Sequence, residues 1–586
     1  MSKWDLTTIF KTLDEWQIEK KEIENLTEQI GKYQGKLEES SNNILECYTL
    51  YEKILEKFEK VYAYAMLNYH QNMADTSRIA LYKDVESLGT RISMETSFIT
   101  PELSQIDKEK LIQYVNENKN LQRYKRIIDE IIENKKHVLS REGEKIIASF
   151  GEVFSASENG YDIFTETEFE FPEIIGENGE KVKITHANYS KYLMSKNQEV
   201  RKQAFNSMYS LYKKHINTIT ELYLARVKER VVESKLRKYD SSLDSAVHAD
   251  DATKAVYDSL VKVVDDKLYL NHRYLKLKKK LLANNEIQLY DVYVNVLEVE
   301  NKEIKYEDAQ TVVLDALKPL GEQYQNLLKQ AFVESWLDVY PAENKKSGAY
   351  SLGVYGCHPY VLLNYTNQEE DVSTIAHELG HAIHSYYSNS NQNVIDANYT
   401  IMVAEVASTV NEIILGQYLI NKEDDKHKKA ALINNQLDRI RATLIRQTMF
   451  AEFEKIVHEK VEKQESLTSD ELCEIYYELN KKYFGDDTVI DEPIKYEWAR
   501  IPHFYSCFYV YKYATGISSA IAIAKKVLEQ GETFVNRYID MLKQGCSKKS
   551  IDLLKMVEVD LESTKPYEEA FEFFEKNLEE LEKLID

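Results

Sequence analysis

Apolar positions recur at helical spacing along most of the chain. Ile23, Leu26, Ile30, Tyr33 and Leu37 alternate steps of three and four residues, the repeat of a helix that buries one stripe against another helix. Ser40-Ser41-Asn42-Asn43 interrupts the pattern, and Leu45, Tyr48, Tyr51, Leu55, Phe58 and Tyr62 resume it. This predicts a long antiparallel helical hairpin. Pro101 marks a boundary, after which 102–150 again reads as helical, as do 187–283, 371–484 and 516–586. Three stretches lose the helical period. Within 161–185, Phe164, Phe169 and Phe171 sit among Thr and Glu, and Gly176-Glu-Asn-Gly179 separates Ile174-Ile175 from Val182-Lys-Ile184, which predicts a small hairpin or strand excursion. Residues 287–299 and 348–365 are dense in β-branched residues and tyrosine and read as further strands, the second just ahead of a helix that begins near 371. The expectation is a mainly α protein with a few strands.

Composition agrees with that picture. The 586 residues include only 18 Gly and 8 Pro, well under half the usual combined share of about 12%. Residues 1–100, 173–318 and 360–492 contain no proline, which suits long helices. A net charge of −23 argues against nucleic acid or an anionic membrane as the main partner, since phosphate contacts need clustered Lys and Arg. Cys47, Cys357, Cys473, Cys507 and Cys546 are odd in number and form no C-x-x-C, the pattern of reduced thiols in a cytoplasmic protein. Neither a signal-peptide core nor an apolar run long enough to span a membrane is present. Tyrosine is conspicuous, with 42 residues against 19 Phe and 4 Trp.

The candidate chemistry begins with His377-Glu378-Leu379-Gly380-His381, an H-E-x-x-H pattern in a proline-free run. On a helix, positions i and i+4 share a face, so two imidazoles can converge on one zinc ion. A catalytic zinc needs a third protein ligand. His384 lies seven residues from His377, about 10.5 Å along the axis, too far to share the ion, and is expected to pack or support. Glu405 is the better candidate, a lone carboxylate in Val403-Ala-Glu-Val-Ala407. Ser408 and Glu412 share its helix face and are placed to orient ligands. Glu378, turned about 100° from His377, is no ligand but can reach a metal-activated water and serve as general base.

H-E-L-G-H followed about two dozen residues later by Glu405-Val-Ala-Ser-Thr resembles the thimet oligopeptidase (M3) family of zinc peptidases, and more narrowly the oligoendopeptidase F branch. Ser347-Gly-Ala-Tyr-Ser, Tyr355-Gly-Cys-His-Pro-Tyr, Arg500-Ile-Pro-His-Phe-Tyr and Phe508-Tyr-Val-Tyr-Lys-Tyr-Ala-Thr-Gly516 add to the match. The resemblance implies a helical zincin-type peptidase with a deep channel and a small β-sheet beside the H-E-x-x-H helix. It also implies one zinc per chain on His377, His381 and Glu405, and short unstructured peptides as substrates. No obligate protein partner is expected. The chain then divides into an N-terminal hairpin region (1–100), a mostly helical segment with a β excursion (101–200) and the peptidase catalytic domain (201–586).

The family draws an oxyanion donor from a His and Tyr constellation that corresponds here to 503–513. Register favours His503 and Tyr511 as catalytic groups, with Tyr505 or Tyr509 helping to hold substrate. The strand at Tyr355–Asn364 is expected to offer its edge to an extended peptide, with Gly353 and Gly356 permitting close approach and His358 and Tyr360 as contacts. Two other functions fit parts of the pattern. A metallocarboxypeptidase would need a fixed cation for the terminal carboxylate, which Arg500 could supply. A non-catalytic peptide-binding protein would have no use for the intact Glu378.

Overall fold

A computed structural model describes residues 3–297 and 302–585. At the N-terminal end, α1 (Leu13–Ile30), α2 (Ser41–Gln71) and α3 (Thr76–Thr96) pack together. The Trp16 indole donates to the Val61 carbonyl (2.9 Å), and Lys57 reaches back to Glu19 and Glu22, so α1 and α2 run antiparallel. Ile23, Leu26 and Ile30 bury against Ile44, Tyr48, Ile54 and Val61, with Val85, Leu88 and Ile92 closing the cluster from α3. The polar interruption at 40–43 is a helix start: Ser40 Oγ accepts the Asn43 N–H (3.2 Å), a standard N-cap. Pro101 sits in the first turn of the helix Ile99–Gln105, where its missing N–H breaks no helical bond.

Two of the expected strand regions are smaller than their composition suggests. Residues 161–167 belong to α4 (Gly151–Thr167), because Tyr161 and Thr165, one turn apart, both bury. The strand excursion shrinks to the hairpin of β1 (Glu173–Ile175) and β2 (Lys181–Lys183), with Ile174 opposite Val182 and the turn closed at Gly179 with φ +81°. In the 287–299 stretch only β3 (Ile287–Gln288) is extended, parallel to β7 (Thr488–Val489). A turn follows at Leu289–Asp291, because the Asp291 carboxylate accepts the Gln288 N–H and is held by the Arg201 guanidinium. Residues 298 and 299 lie outside the described residues.

Close packing divides the chain into two discontinuous units that cut across the three consecutive sequence segments. One comprises 1–141, 301–418 and 523–558; the other comprises 142–300, 419–522 and 559–586. The first unit holds a three-stranded sheet, β4 (Leu337–Asp338), β5 (Tyr350–Leu352) and β6 (Tyr360–Leu362), in the order β4-β6-β5. β6 pairs parallel with β4 and antiparallel with β5, so it is the central strand. The expected exposed edge at Tyr355–Asn364 is therefore already paired on both sides, and the sheet's edges are β4 and β5. Helix α6 (Glu369–Asn391) packs on β5. Gly353 serves this contact rather than a substrate: a Cβ there would fall 2.6 Å from the Ser385 Cβ. Gly356 answers to a turn with φ +72°.

Gly353→Ala should lower the thermal unfolding midpoint, by the equivalent of about 1–3 kcal/mol, because neither strand nor helix backbone can yield freely. Gly151→Ala, whose new methyl meets nothing within 4 Å, should leave the midpoint unchanged or raise it slightly. Equal effects at the two sites would refute the packing role of Gly353.

Candidate metal centre

The centre lies in the first unit, on α6 and α7 (Ile401–Lys422). Helix α6 starts sharply. Asp371 accepts the backbone N–H groups of Thr366 (2.7 Å) and Gln368 (3.0 Å), and Glu369 and Glu370 complement the positive end of the helix. Two turns later His377 and His381 point the same way, their Nε2 atoms 3.2 Å apart.

A glycine lets the third ligand arrive. At Gly380 a Cβ would lie 2.6 Å from Ser408 Cα and 2.8 Å from the Ala407 carbonyl oxygen, so α6 and α7 touch backbone to backbone. Asn411 locks the crossing: its amide donates to the Ala376 carbonyl (2.9 Å) and accepts from the Tyr324 hydroxyl (3.0 Å) on α5 (Gly321–Val333). Asn411 and Tyr324 are fully buried. Their mutual satisfaction is what makes that burial tolerable.

With the helices crossed this way, Glu405 Oε2 stands 3.7 Å from each histidine Nε2. The three atoms form a triangle with edges of 3.2, 3.7 and 3.7 Å. Ligands of a tetrahedral zinc ion at 2.0–2.1 Å lie about 3.4 Å apart, so this donor set fits such an ion. All three side chains keep some accessible surface. His377 Nδ1–H donates to Glu412 Oε1 (3.0 Å), which leaves Nε2 as the lone-pair nitrogen facing the triangle. Burial opposes protonation of His377, but the Glu412 bond and the neighbouring carboxylates outweigh it and raise its pKa. For His381 burial and the nearby His377 prevail, and the imidazole is pushed down to about 4, the neutral form a metal requires. Ser408 Oγ reaches both the Glu405 carbonyl (3.0 Å) and its Oε2 (3.3 Å).

Glu378 is 7% exposed. Burial, reinforced by the Glu405 and Glu412 charges and only partly offset by His377, pushes its carboxyl up to about 7. His384 is fully buried and stacks on Tyr399 (3.7 Å between ring centres, 9° between planes), a packing role. The expected substrate contacts ahead of α6 are mostly enclosed. Tyr360 is fully buried with its hydroxyl against Thr8 Oγ1 (2.6 Å), and His358 stacks on Trp336 and bonds the Pro359 carbonyl (2.8 Å). They hold the N-terminal residues to the sheet, where Tyr360 packs on Trp4.

The 503–513 stretch belongs to the second unit. Tyr511, the favoured donor, is fully buried and its hydroxyl donates to Asp250 Oδ2 (2.8 Å), beside Lys512 on Asp250 Oδ1 (2.6 Å). Tyr505 is buried and stacks on Tyr161 (4.4 Å). The accessible groups are His503, Tyr509 and Tyr513. The Tyr513 hydroxyl lies 3.4 Å from His503 Nε2, and the tyrosine ring centres are 5.5 Å apart. Tyr509 precedes the helix Tyr511–Gln530, and within that helix position 513 is turned about 200° from 511, so Tyr511 is buried while Tyr513 stays accessible. Phe508, with φ +58°, is fixed by its N–H bond to the buried Glu454 (2.8 Å). Arg500 lies in the second unit, where its guanidinium shares the Glu497 carboxylate (3.3 Å) with Arg446 (2.8 Å). Gly380, Asn411, Tyr324, Asp250 and Glu454 escape sequence reasoning. Of these only Gly380 carried a signal, as a glycine inside a helix.

A helical protein with two histidines one turn apart and a carboxylate from the next long helix is a metallohydrolase in architecture. The comparisons narrow the class. The family model described as Peptidase family M3 matches residues 191–573, and one described as Oligopeptidase F matches 102–171. The sequence is 39% identical to Oligopeptidase PepF of Bacillus subtilis (strain 168) over 582 residues, covering 99% of this chain and 87% of the relative. A crystal structure from Chlamydophila abortus superposes with a TM-score of 0.94 at 32% identity, over 100% of this chain and 98% of that one. The oligoendopeptidase-F from Enterococcus faecium gives 0.75 at 34% identity, over 98% and 99%. The chain belongs to peptidase family M3, in its oligoendopeptidase F branch, and is a metallo-endopeptidase. No helix among the described residues is long and apolar enough to cross a membrane.

Glu412→Ala should weaken metal affinity about 10–100-fold, measured by competition with a chelating dye, while the fold is retained. Gly380→Ala should do the same by prising α7 from α6. Unchanged affinity in the glycine variant would show that the backbone contact does not set the ligand triangle.

Proposed function

We propose that His377, His381 and Glu405 hold a single zinc ion and that the enzyme hydrolyses internal bonds of short, unstructured peptides. The observation that carries this reading is the ligand triangle with a buried carboxylate one residue from its first histidine. Zinc, when bound, supplies a Lewis acid that polarises the scissile carbonyl and makes water nucleophilic near neutral pH. Glu412 keeps the His377 ring in the tautomer that offers Nε2. Glu378 accepts the proton of the attacking water and returns it to the leaving amine. The substrate class is supported by the relatives' names, oligopeptidase and oligoendopeptidase. A cytoplasmic setting is in keeping with five cysteines that all remain thiols.

The oxyanion donor that the resemblance gave to Tyr511 passes, in this proposal, to Tyr513 paired with His503, with Tyr509 beside them to hold substrate. Accessibility supports the change: the Tyr511 hydroxyl is already spent on Asp250.

Mass spectrometry of products from a mixed short-peptide set should show internal cleavage that a chelator abolishes; cleavage surviving the chelator would exclude the metal reading. Glu378→Gln should retain zinc yet lose about 10²–10⁴-fold in kcat. Tyr513→Phe should lower kcat about 10²–10³-fold with little change in KM. Tyr511→Phe should instead lower the unfolding midpoint, and the reverse pattern would return the donor role to Tyr511.

A further inference from the structure

The second unit contains a cavity of about 210 Å³ that the peptidase reading does not use. Its lining carries two guanidiniums, Arg446 and Arg500, and one carboxylate, Glu497. That carboxylate already accepts four hydrogen bonds. Its Oε1 accepts from Arg446 (2.8 Å), Tyr209 (3.0 Å) and Arg500 (3.3 Å), and its Oε2 accepts from Tyr476 (2.6 Å). Burial alone would raise the Glu497 pKa, but the two arginines hold it low, so it is ionised. The lining therefore carries one positive charge in excess.

Protein groups do not complete the hydrogen bonding either. Arg500 Nε is buried with no hydrogen-bond partner. The guanidiniums lie over aromatic faces, Arg500 on Tyr189 (5.5 Å) and Arg446 on Tyr293 (5.8 Å) and Phe450 (4.7 Å). Those faces ease the charge but accept none of the in-plane N–H bonds. The Arg446 and Arg500 side chains keep 19% and 23% of their surface accessible, so an anion entering the cavity can reach the excess charge.

We infer that this cavity is a binding site for a small apolar carboxylate. The forked donors of arginine match a carboxylate's two oxygens better than a spherical ion. Phe205, Phe484 and Ile494 line the rest of the cavity and suit an apolar tail. The volume is several times the roughly 30 Å³ share of one water molecule. A ligand ammonium would meet two guanidiniums and a carboxylate that already accepts four hydrogen bonds, so a free zwitterionic amino acid is disfavoured. The inference is independent of the metal centre, which lies in the other unit.

Calorimetric titration of the full-length protein with 3-bromopropionate and with isovalerate tests it, with propylammonium and sodium chloride at matched ionic strength as comparisons. Both carboxylates should bind saturably and propylammonium should not. Crystals soaked in 3-bromopropionate should give an anomalous bromine peak in the cavity. Arg500→Lys keeps the charge and removes the fork. Met194→Trp alters a residue of the lining that is 57% exposed and so tolerates change. Each should weaken binding at least tenfold with the unfolding midpoint held. Absence of saturable binding, a bromine peak elsewhere, an equal response to chloride, or full binding in both variants would each overturn the proposal.

Discussion

The backbone contact between α6 and α7 at Gly380 is the constraint on which the metal centre rests. Two histidines on one helix define only an edge of a coordination polyhedron. The third ligand comes from a helix that must approach closely enough for a short carboxylate to span the gap. At 2.6 Å from a would-be Cβ to the Ser408 Cα, any larger residue holds the helices apart. The remaining interactions maintain that crossing: Asn411 and Tyr324 across the buried face, and Ser408 and Glu412 on the face that meets the ligands.

Burial sorts the polar side chains into working and supporting groups. His377, His381 and Glu405 keep some access, whereas His384, a turn further along α6, is sealed against Tyr399 and is pushed down to about 3, a neutral packing group. The tyrosines divide the same way. Tyr360 and Tyr511 spend their hydroxyls on Thr8 and Asp250, while Tyr509 and Tyr513 stay accessible beside His503. Much of the tyrosine excess is thus structural, a phenol supplying apolar area together with one hydrogen bond at its tip. The Arg446–Glu497–Arg500 cluster shows the opposite imbalance, with polar capacity left over after the protein's own groups have paired.

Local chemistry was legible in the sequence wherever it depends on near neighbours along the chain. The α1–α2 hairpin follows from its apolar stripe, the β1–β2 turn from Gly176 and Gly179, and the convergence of His377 and His381 from the helical period. Glu405 stood out as a lone charge in an apolar run, and Ser408 and Glu412 followed from it by spacing. The 161–167 and 289–297 regions misled because aromatic and β-branched content signals burial without saying against what. A strand forms only where another strand is there to pair with it, and Arg201 and the Asp291 cap made a turn instead.

Helical periodicity and the spacing of donors thus determined by themselves a mainly α protein with two histidines on one helix face and a carboxylate able to join them at a metal; the peptidase class rests on the likeness to family M3. Tertiary structure alone decided that β6 lies inside its sheet, that Tyr511 turns inward while Tyr513 stays accessible, and that Gly380 admits a neighbouring helix. These outcomes depend on which distant segment occupies the space beside each residue. Periodicity tells which face of an element is covered; only the packed chain says what covers it.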